Sequence, residues 1–338
     1  MGGTTDGTQE KRTPADKRVL VETKTVATVA VRNWDHVVPA VLGRVTDDEF
    51  DLRVVGAEKL YPMGHEVYDV VETSLSRYVQ ARAAGRDDIV GIPHFVMRGF
   101  RHRCLLTRVE SDMISIDQLK GAGIGLSGWV DSGNIWTKAA IREAGIDIPD
   151  ARWYVGRLTD QDPVRNHVGH GEQKGTVNGI PEDTSLMSLL QAGKLDAIMT
   201  AFMPPGFIEG KTGLRHLLPD FVAAEIEYFR RVAFVPGIHL LTVRRPVHET
   251  YPNLAGAVSR VLVESERIWG LSRARHCDTT PWILQDLERT ATALTPGWNA
   301  QGLEPNRTML DSFLDEMVSQ NIITNRPTVD DLFFGVDV

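Results

Sequence analysis

The residues Phe100-Arg101-His102 stand between two strand-like apolar runs, 92–96 and 104–106. An arginine grips a carboxylate through two parallel N–H···O bonds. A histidine moves a proton near neutral pH. Side by side where one unit of the chain hands over to the next, the pair points to a site for a small acid, with chemistry on it. An Arg-His pair alone is more often a solvated loop, so its surroundings matter.

Three further groups raise the expectation. Glu72-Thr73-Ser74-Leu75-Ser76 runs from a short buried strand into a helix, presenting hydroxyls and free backbone N–H groups to an anion. Asp131-Ser132-Gly133-Asn134 offers the same geometry at a second helix start. His239 interrupts an apolar strand, either as a satisfied core histidine or facing a cleft. Other motifs carry less. The run Gly121-Ala122-Gly123-Ile124-Gly125 lacks the dinucleotide spacing and reads as a strand that another group approaches closely. His167 and His170 lack a third metal ligand. Cys104 and Cys277 form neither a metal spacing nor a disulfide framework. The reading therefore contains no metal site and no disulfide.

Strand and helix patterns alternate from residue 26 to about 243. Apolar strands are expected at 26–31, 50–55, 69–72, 89–96, 102–107, 121–126, 151–155, 196–200 and 238–243. Helices are expected at 36–42, from Ser74 to Gly85, at 131–144 and at 185–192, each stopped by a glycine. Residues 157–183 read as a long loop. The last hundred residues carry helical apolar stripes, at 251–269 and after Pro305, which are core packing. Such alternation builds a mostly parallel sheet with helices on its faces. The strands opening at Asp69 and Asp196 echo one another, and each empties into a loop at its carboxyl end. Two such loops would face each other across a cleft.

The 338 residues are 42% hydrophobic and 24% charged, with a formal net charge of −8. That balance speaks against a nucleic-acid binder, which needs a basic footprint. No apolar run approaches the ~20 residues of a membrane helix. The polar residues 1–17 read as a disordered tail without the apolar core of a secretory signal, so a cytoplasmic location is expected.

Four stretches resemble one family. Tyr68-Asp69-Val70-Val71-Glu72-Thr73-Ser74-Leu75-Ser76-Arg77-Tyr78 is similar to the first-lobe motif of the 4,5-dihydroxyphthalate decarboxylases. So are Ile92-Pro93 followed by Phe100-Arg101-His102, the apolar strand 234–239 ending in His239, and Gly302-Leu303-Glu304-Pro305-Asn306-Arg307 with the helix after it. The resemblance spans about 26–335. Met97, Trp129, Asp131, Asn134 and Trp136 depart from the pattern, so the fold is better defined than the substrate. The resemblance implies an α/β, two-lobed, type 2 periplasmic-binding-protein-like fold with a ligand cleft between the lobes. The lobes are expected at 18–107 with 236–338, and at 108–235. It also implies cofactor-independent decarboxylation of an aromatic acid.

The residues permit such a reaction by protonation of a ring carbon followed by loss of CO2. His102 is the first choice for the acid and His239 the second. Glu72 holds a histidine tautomer or accepts a phenolic proton. Arg101, with Arg98 behind it, clamps carboxylate. Ser74, Ser76, Asp131, Ser132 and Asn134 orient oxygens, and Trp129 and Trp136 wall the ring. The expected partner is a small aromatic carboxylate, with no nucleic acid and no membrane; a homo-oligomer is compatible with the sequence. The rival reading is a solute-binding protein that carries the same ligand without changing it.

Overall fold

The computed structural model describes residues 1–3, 24–164, 177–333, 335–336 and 338. Most of the expected tail, residues 18–23 and the pair His167 and His170 lie outside them. Runs of β-branched and small apolar residues make the first strands, β1 (Thr25–Arg32), β2 (Phe50–Ala57), β3 (Val70–Ser74) and β4 (Ile89–Arg98), with helices α1 (Val38–Val41) and α2 (Leu75–Ala83) between them. The chain then crosses to a second sheet. It comprises β5 (Leu105–Arg108), β6 (Gly123–Leu126), β7 (Arg152–Val155), β8 (Val177–Gly179), β9 (Ala197–Met199) and β10 (Leu214–His216). Helices α3 (Ser132–Glu143), α4 (Leu186–Gln191) and α5 (Phe221–Val232) accompany it. A return crossing leads to β11 (Gly237–Arg244), which rejoins the first sheet. The chain ends in helices α6 (Arg245–Thr250), α7 (Leu254–Arg275), α8 (Ile283–Ala293), α9 (Arg307–Ser319) and α10 (Val329–Leu332).

The strand orders are β2-β1-β3-β11-β4 and β10-β5-β9-β6-β7-β8. In the first sheet β1 lies parallel to β2 and β3, while β11 runs antiparallel between β3 and β4. In the second, β9, β6, β7 and β8 are parallel and β5 is antiparallel to both neighbours. The expected strand at 102–107 needs correction. Residues His102–Cys104 form a 3-10 turn that redirects the chain, and β5 after it pairs with β9 and β10. Residues 105–107, assigned from sequence to the first lobe, therefore hydrogen-bond in the second sheet.

The two crossings are short and touch: the Gly99 N–H donates to the Pro236 carbonyl at 3.0 Å. Ala233, in the left-handed region at φ 60°, ends α5 and turns the chain into the second crossing. Four apolar clusters fill the layers. The α7 stripe (Leu254, Val258, Leu262) packs on β1 and β11. The α9 stripe (Leu310, Phe313, Met317) packs on α2 and also on Trp136 of α3, so one core spans both sheets' helices. The glycine-rich β6 is explained by close approach, because a Cβ on Gly125 would lie 2.7 Å from Leu186 and 2.9 Å from Leu195.

A polar side chain is buried in this framework. His94 on β4 is fully enclosed, its Nδ1 2.9 Å from Ser259 Oγ of α7. Burial, with Arg98 nearby, lowers its pKa from 6.5 to about 3. The folded state thus refuses a proton that the unfolded chain accepts below pH 6.5. The stabilisation is whole above that value and is lost as pH falls toward 3. Between pH 7.5 and 4.5 this histidine is expected to remove about 2–3 kcal/mol of stability. Urea unfolding of wild type and His94→Gln at both pH values checks this: the variant should lose less between them by that amount.

Candidate functional site

The carboxyl ends of β1, β3, β4, β6 and β9 point to one place between the sheets. A cavity of about 150 Å³ opens there. Arg32, Ser74 and Met97 line it from the first sheet's strand ends, and Ser127, Asp131, Ser132, Gly133, Asn134, Ala201 and Phe202 from the loops and helix start of the second. Leu60, Arg77, Arg101, Ile238 and His239 complete it.

Two helix N-termini meet at this cavity. Ser74 precedes α2, yet its hydroxyl caps nothing in its own helix. It lies 2.7 Å from Ser132 Oγ, and Ser132 Oγ accepts the Ser76 N–H at 2.9 Å. The first residue of α3 therefore caps α2. Each helix brings free N–H groups and the positive end of its dipole to one spot. The loop before α3 is fixed from below. Asn134 Nδ2 donates to the Gly128 carbonyl at 2.8 Å. Lys138 donates to the Trp129 carbonyl at 2.8 Å, with its Nζ 3.4 Å from the Trp129 ring centroid. Burial drops the Lys138 pKa well below the ordinary lysine value.

Arg101 sits on the first crossing and is 2% exposed. None of its three guanidinium nitrogens has a hydrogen-bond partner among the described residues. Burial lowers its pKa, yet a guanidinium starts so high that it keeps its charge. It lies against the backbone of α3, since a Cβ on Gly133 would come within 2.6 Å of its Nη2. A buried cation without a partner is strongly destabilising. With two helix N-termini beside it, the arrangement is complementary to an anion.

Beside Ser74 on the same cavity stands a second device. Glu72, 1% exposed, accepts from His239 Nδ1 at 2.6 Å, from the Arg32 N–H at 2.7 Å and from Trp34 Nε1 at 3.0 Å. A carboxylate only accepts, so Nδ1 carries the proton and Nε2 is left to the cavity that His239 lines. The register explains the meeting. His239 of β11 pairs with Ser74 of β3, which places it diagonally across from Glu72, two residues back. The group can give a proton to, or take one from, a bound molecule.

Of the residues read from sequence, Arg101, Ser74, Asp131, Ser132, Asn134 and His239 line the cavity and Glu72 lies directly behind it. The others do not reach it. His102 is turned the other way, its ring 5.3 Å from that of Tyr228 on α5, and burial lowers its pKa to about 4. Arg98 is tied to the Ala300 carbonyl and Asn306 Oδ1, holding the C-terminal segment on β4. Ser76 faces inward, accepting from Gln80. Trp129 is packed against Trp153 in the second core, and Trp136 donates to the Gly237 carbonyl within the core it shares with Phe313. Both are large, and burial in a core was the stronger demand. The apolar walls come instead from Leu60, Met97, Phe202 and Ile238, none of them read as lining a site, although Met97 departs from the family pattern and Ile238 lies in the strand before His239. Arg32 and Arg77 were also missed; their only signal was a position at a strand end and in a first helical turn. Among the described residues, no three His, Cys, Asp or Glu side chains gather to hold a metal ion.

The two sheets and the cleft between them make a two-lobed α/β fold like that of periplasmic solute-binding proteins. The chain matches the aliphatic sulphonate binding protein SsuA from Escherichia coli with a TM-score of 0.53 at 14% identity, over 92% of this chain and 100% of that one. It matches the alkanesulfonate-binding protein SsuA from Xanthomonas axonopodis pv. citri with a TM-score of 0.54 at 14% identity, over 92% and 99%. Those likenesses concern the fold. In sequence the chain is similar to proteins named 4,5-dihydroxyphthalate decarboxylase. It is 26% identical over 314 residues to that of Comamonas testosteroni, covering 90% of this chain and 95% of that one. With that of Pseudomonas putida it shares 27% over 220 residues, covering 64% and 85%. No family model matches the chain. The resemblance read from the motifs is thus borne out, and the chain is decarboxylase-like.

The contact between Gly133 and Arg101 gives a direct test of the anion cradle. In Gly133→Ala the new methyl displaces the guanidinium, the flexible end of a side chain, so folding should survive. Titration calorimetry with phthalate should show at least tenfold weaker binding than in wild type, with the thermal midpoint within a few degrees. Unchanged affinity would remove Arg101 from the anion site.

Proposed function

We propose that this protein is a carboxy-lyase that removes CO2 from a hydroxylated aromatic carboxylic acid of the 4,5-dihydroxyphthalate kind, without an organic cofactor. The observation that carries the reading is the pairing, on one cavity, of a buried arginine without a partner among the described residues and a histidine held by a buried glutamate. The similarity to proteins of that name along most of the chain supports it.

Losing CO2 directly from an aryl ring leaves an electron pair in an sp² orbital, which is too high in energy. In the proposed path a carboxylate rests on Arg101 and the α2 and α3 N-termini, and the ring lies among Leu60, Met97, Phe202 and Ile238. His239, as the imidazolium with Nδ1–H held by Glu72, gives its Nε2 proton to the ring carbon that bears the departing carboxylate. A hydroxyl para to that carbon loses its proton to solvent and supplies electrons, forming a dienone. The carbon–carboxylate bond then breaks, CO2 leaves, and the pair restores the aromatic ring and the phenol oxygen. The oxygen takes a proton from solvent, and solvent reprotonates His239 at Nε2. Glu72 fixes the Nδ1–H tautomer and balances the imidazolium.

The second reading, a binding protein that carries its ligand unchanged, draws on the structural neighbours. It accounts for Arg101 and the helix ends. It gives no reason for a buried glutamate with three hydrogen bonds orienting a histidine.

Incubation with a panel of hydroxylated aromatic acids, 4,5-dihydroxyphthalate among them, while measuring released CO2 tests the proposal; binding without CO2 favours the carrier. Positioned acid catalysis contributes ~10²–10⁴-fold, so His239→Asn should lower kcat by that order with KM within a few-fold. His102→Asn should stay within a few-fold in both constants. The opposite pattern would return the acid's role to His102.

A further inference from the structure

The buried carboxylate of Glu72 can turn about its last side-chain bond, a soft torsion without sharp staggered wells. Its orientation is set by what its second oxygen meets. Oε2 accepts two donors that converge from the end of β1 and the residues just after it, the Arg32 backbone N–H at 2.7 Å and the Trp34 indole N–H at 3.0 Å. Oε1 is thereby aimed at His239 Nδ1, 2.6 Å away. Trp34 does not line the cavity. Its ring packs half-buried against the first core, 6.5 Å from the His239 ring between centroids. The Arg32 guanidinium, which does line the cavity, lies 5.6 Å from the Trp34 centroid and 5.6 Å from that of Phe202.

We propose that Trp34 is a positioning residue of the reaction: its indole N–H locks the Glu72 carboxylate in the plane that holds His239 with Nδ1 protonated and Nε2 toward the substrate. This rests on the proposed function for its effect on rate, but the lock itself is a property of the ligand-free protein. Losing the indole donor leaves Oε2 with one partner. The carboxylate then rocks, and the imidazole samples the other tautomer.

Two variants test this. Trp34→Phe removes the N–H and keeps an aromatic ring. Replacement of Trp34 by 3-benzothienylalanine keeps the ring's full size with sulfur in place of N–H, which answers any loss of packing. In both, kcat on an acid that the wild type decarboxylates should fall about tenfold or more, with KM within twofold. In ¹⁵N-histidine-labelled, ligand-free protein at alkaline pH, wild-type His239 should show one protonated and one bare ring nitrogen, and in the variants the two shifts should move toward each other. An unchanged kcat, or a fallen kcat with unchanged His239 shifts, overturns the proposal. If the wild type decarboxylates nothing in the panel, the proposed function fails, and the nitrogen shifts still decide whether Trp34 holds Glu72.

Discussion

Positive ends of two helices and a buried guanidinium converge on one point, and the fold is arranged around that convergence. α2 belongs to the first sheet and α3 to the second, yet Ser132 at the start of α3 caps α2. Arg101 lies against Gly133 with no hydrogen-bond partner among the described residues. Like charges are brought together only where something else repays the electrostatic penalty. Here the packing of α3 into a core shared with α9, through Trp136 and Phe313, fixes the second helix against the first. The apolar contacts thus hold in place a polar arrangement that is unfavourable by itself and favourable to an anion.

The same cleft separates two kinds of demand. Holding an anion needs donors and positive charge, which Arg101 and the helix ends supply. Moving a proton needs a titratable group whose direction is fixed, and under the proposed function Glu72 with His239 supplies that from the strand beside Ser74. Glu72 is reached by a strand register, since β11 runs antiparallel beside β3 and sets His239 opposite Ser74. The return crossing at 233–236 is therefore a catalytic necessity under the proposed function as well as a topological one. Without it the histidine would have no strand to sit on.

The misplaced tryptophans and arginine share one physical explanation. Trp129, Trp136 and Arg98 are large side chains close in sequence to the cavity's own residues. Each found a deeper use: Trp129 against Trp153, Trp136 under Gly237, Arg98 bracing the segment before α9. The cavity walls were left to Leu60, Met97, Phe202 and Ile238, residues that a sequence reader passes over as ordinary apolar positions.

The sequence alone determined the α/β class, much of the alternation of strands and helices, the helix starts at Ser74 and Asp131, and Arg101 as the cation at the crossing; it read β8 as loop and left β10 and α5 unmarked. These follow from local chemistry: side-chain periodicity, capping residues, and a charge between two apolar runs. The sequence also marked His239 and Glu72 but could not join them, because they lie 167 residues apart and meet only through a strand pairing. It favoured His102 over His239 because adjacency to Arg101 is visible in one dimension. The tertiary structure places His239, and not His102, on the cavity. A 3-10 turn at 102–104 points consecutive side chains in different directions, so Arg101 enters the cavity and His102 enters the packing against Tyr228. Which of two neighbouring residues faces a ligand depends on backbone direction at a single turn, and that direction is set by the sheets on either side of it.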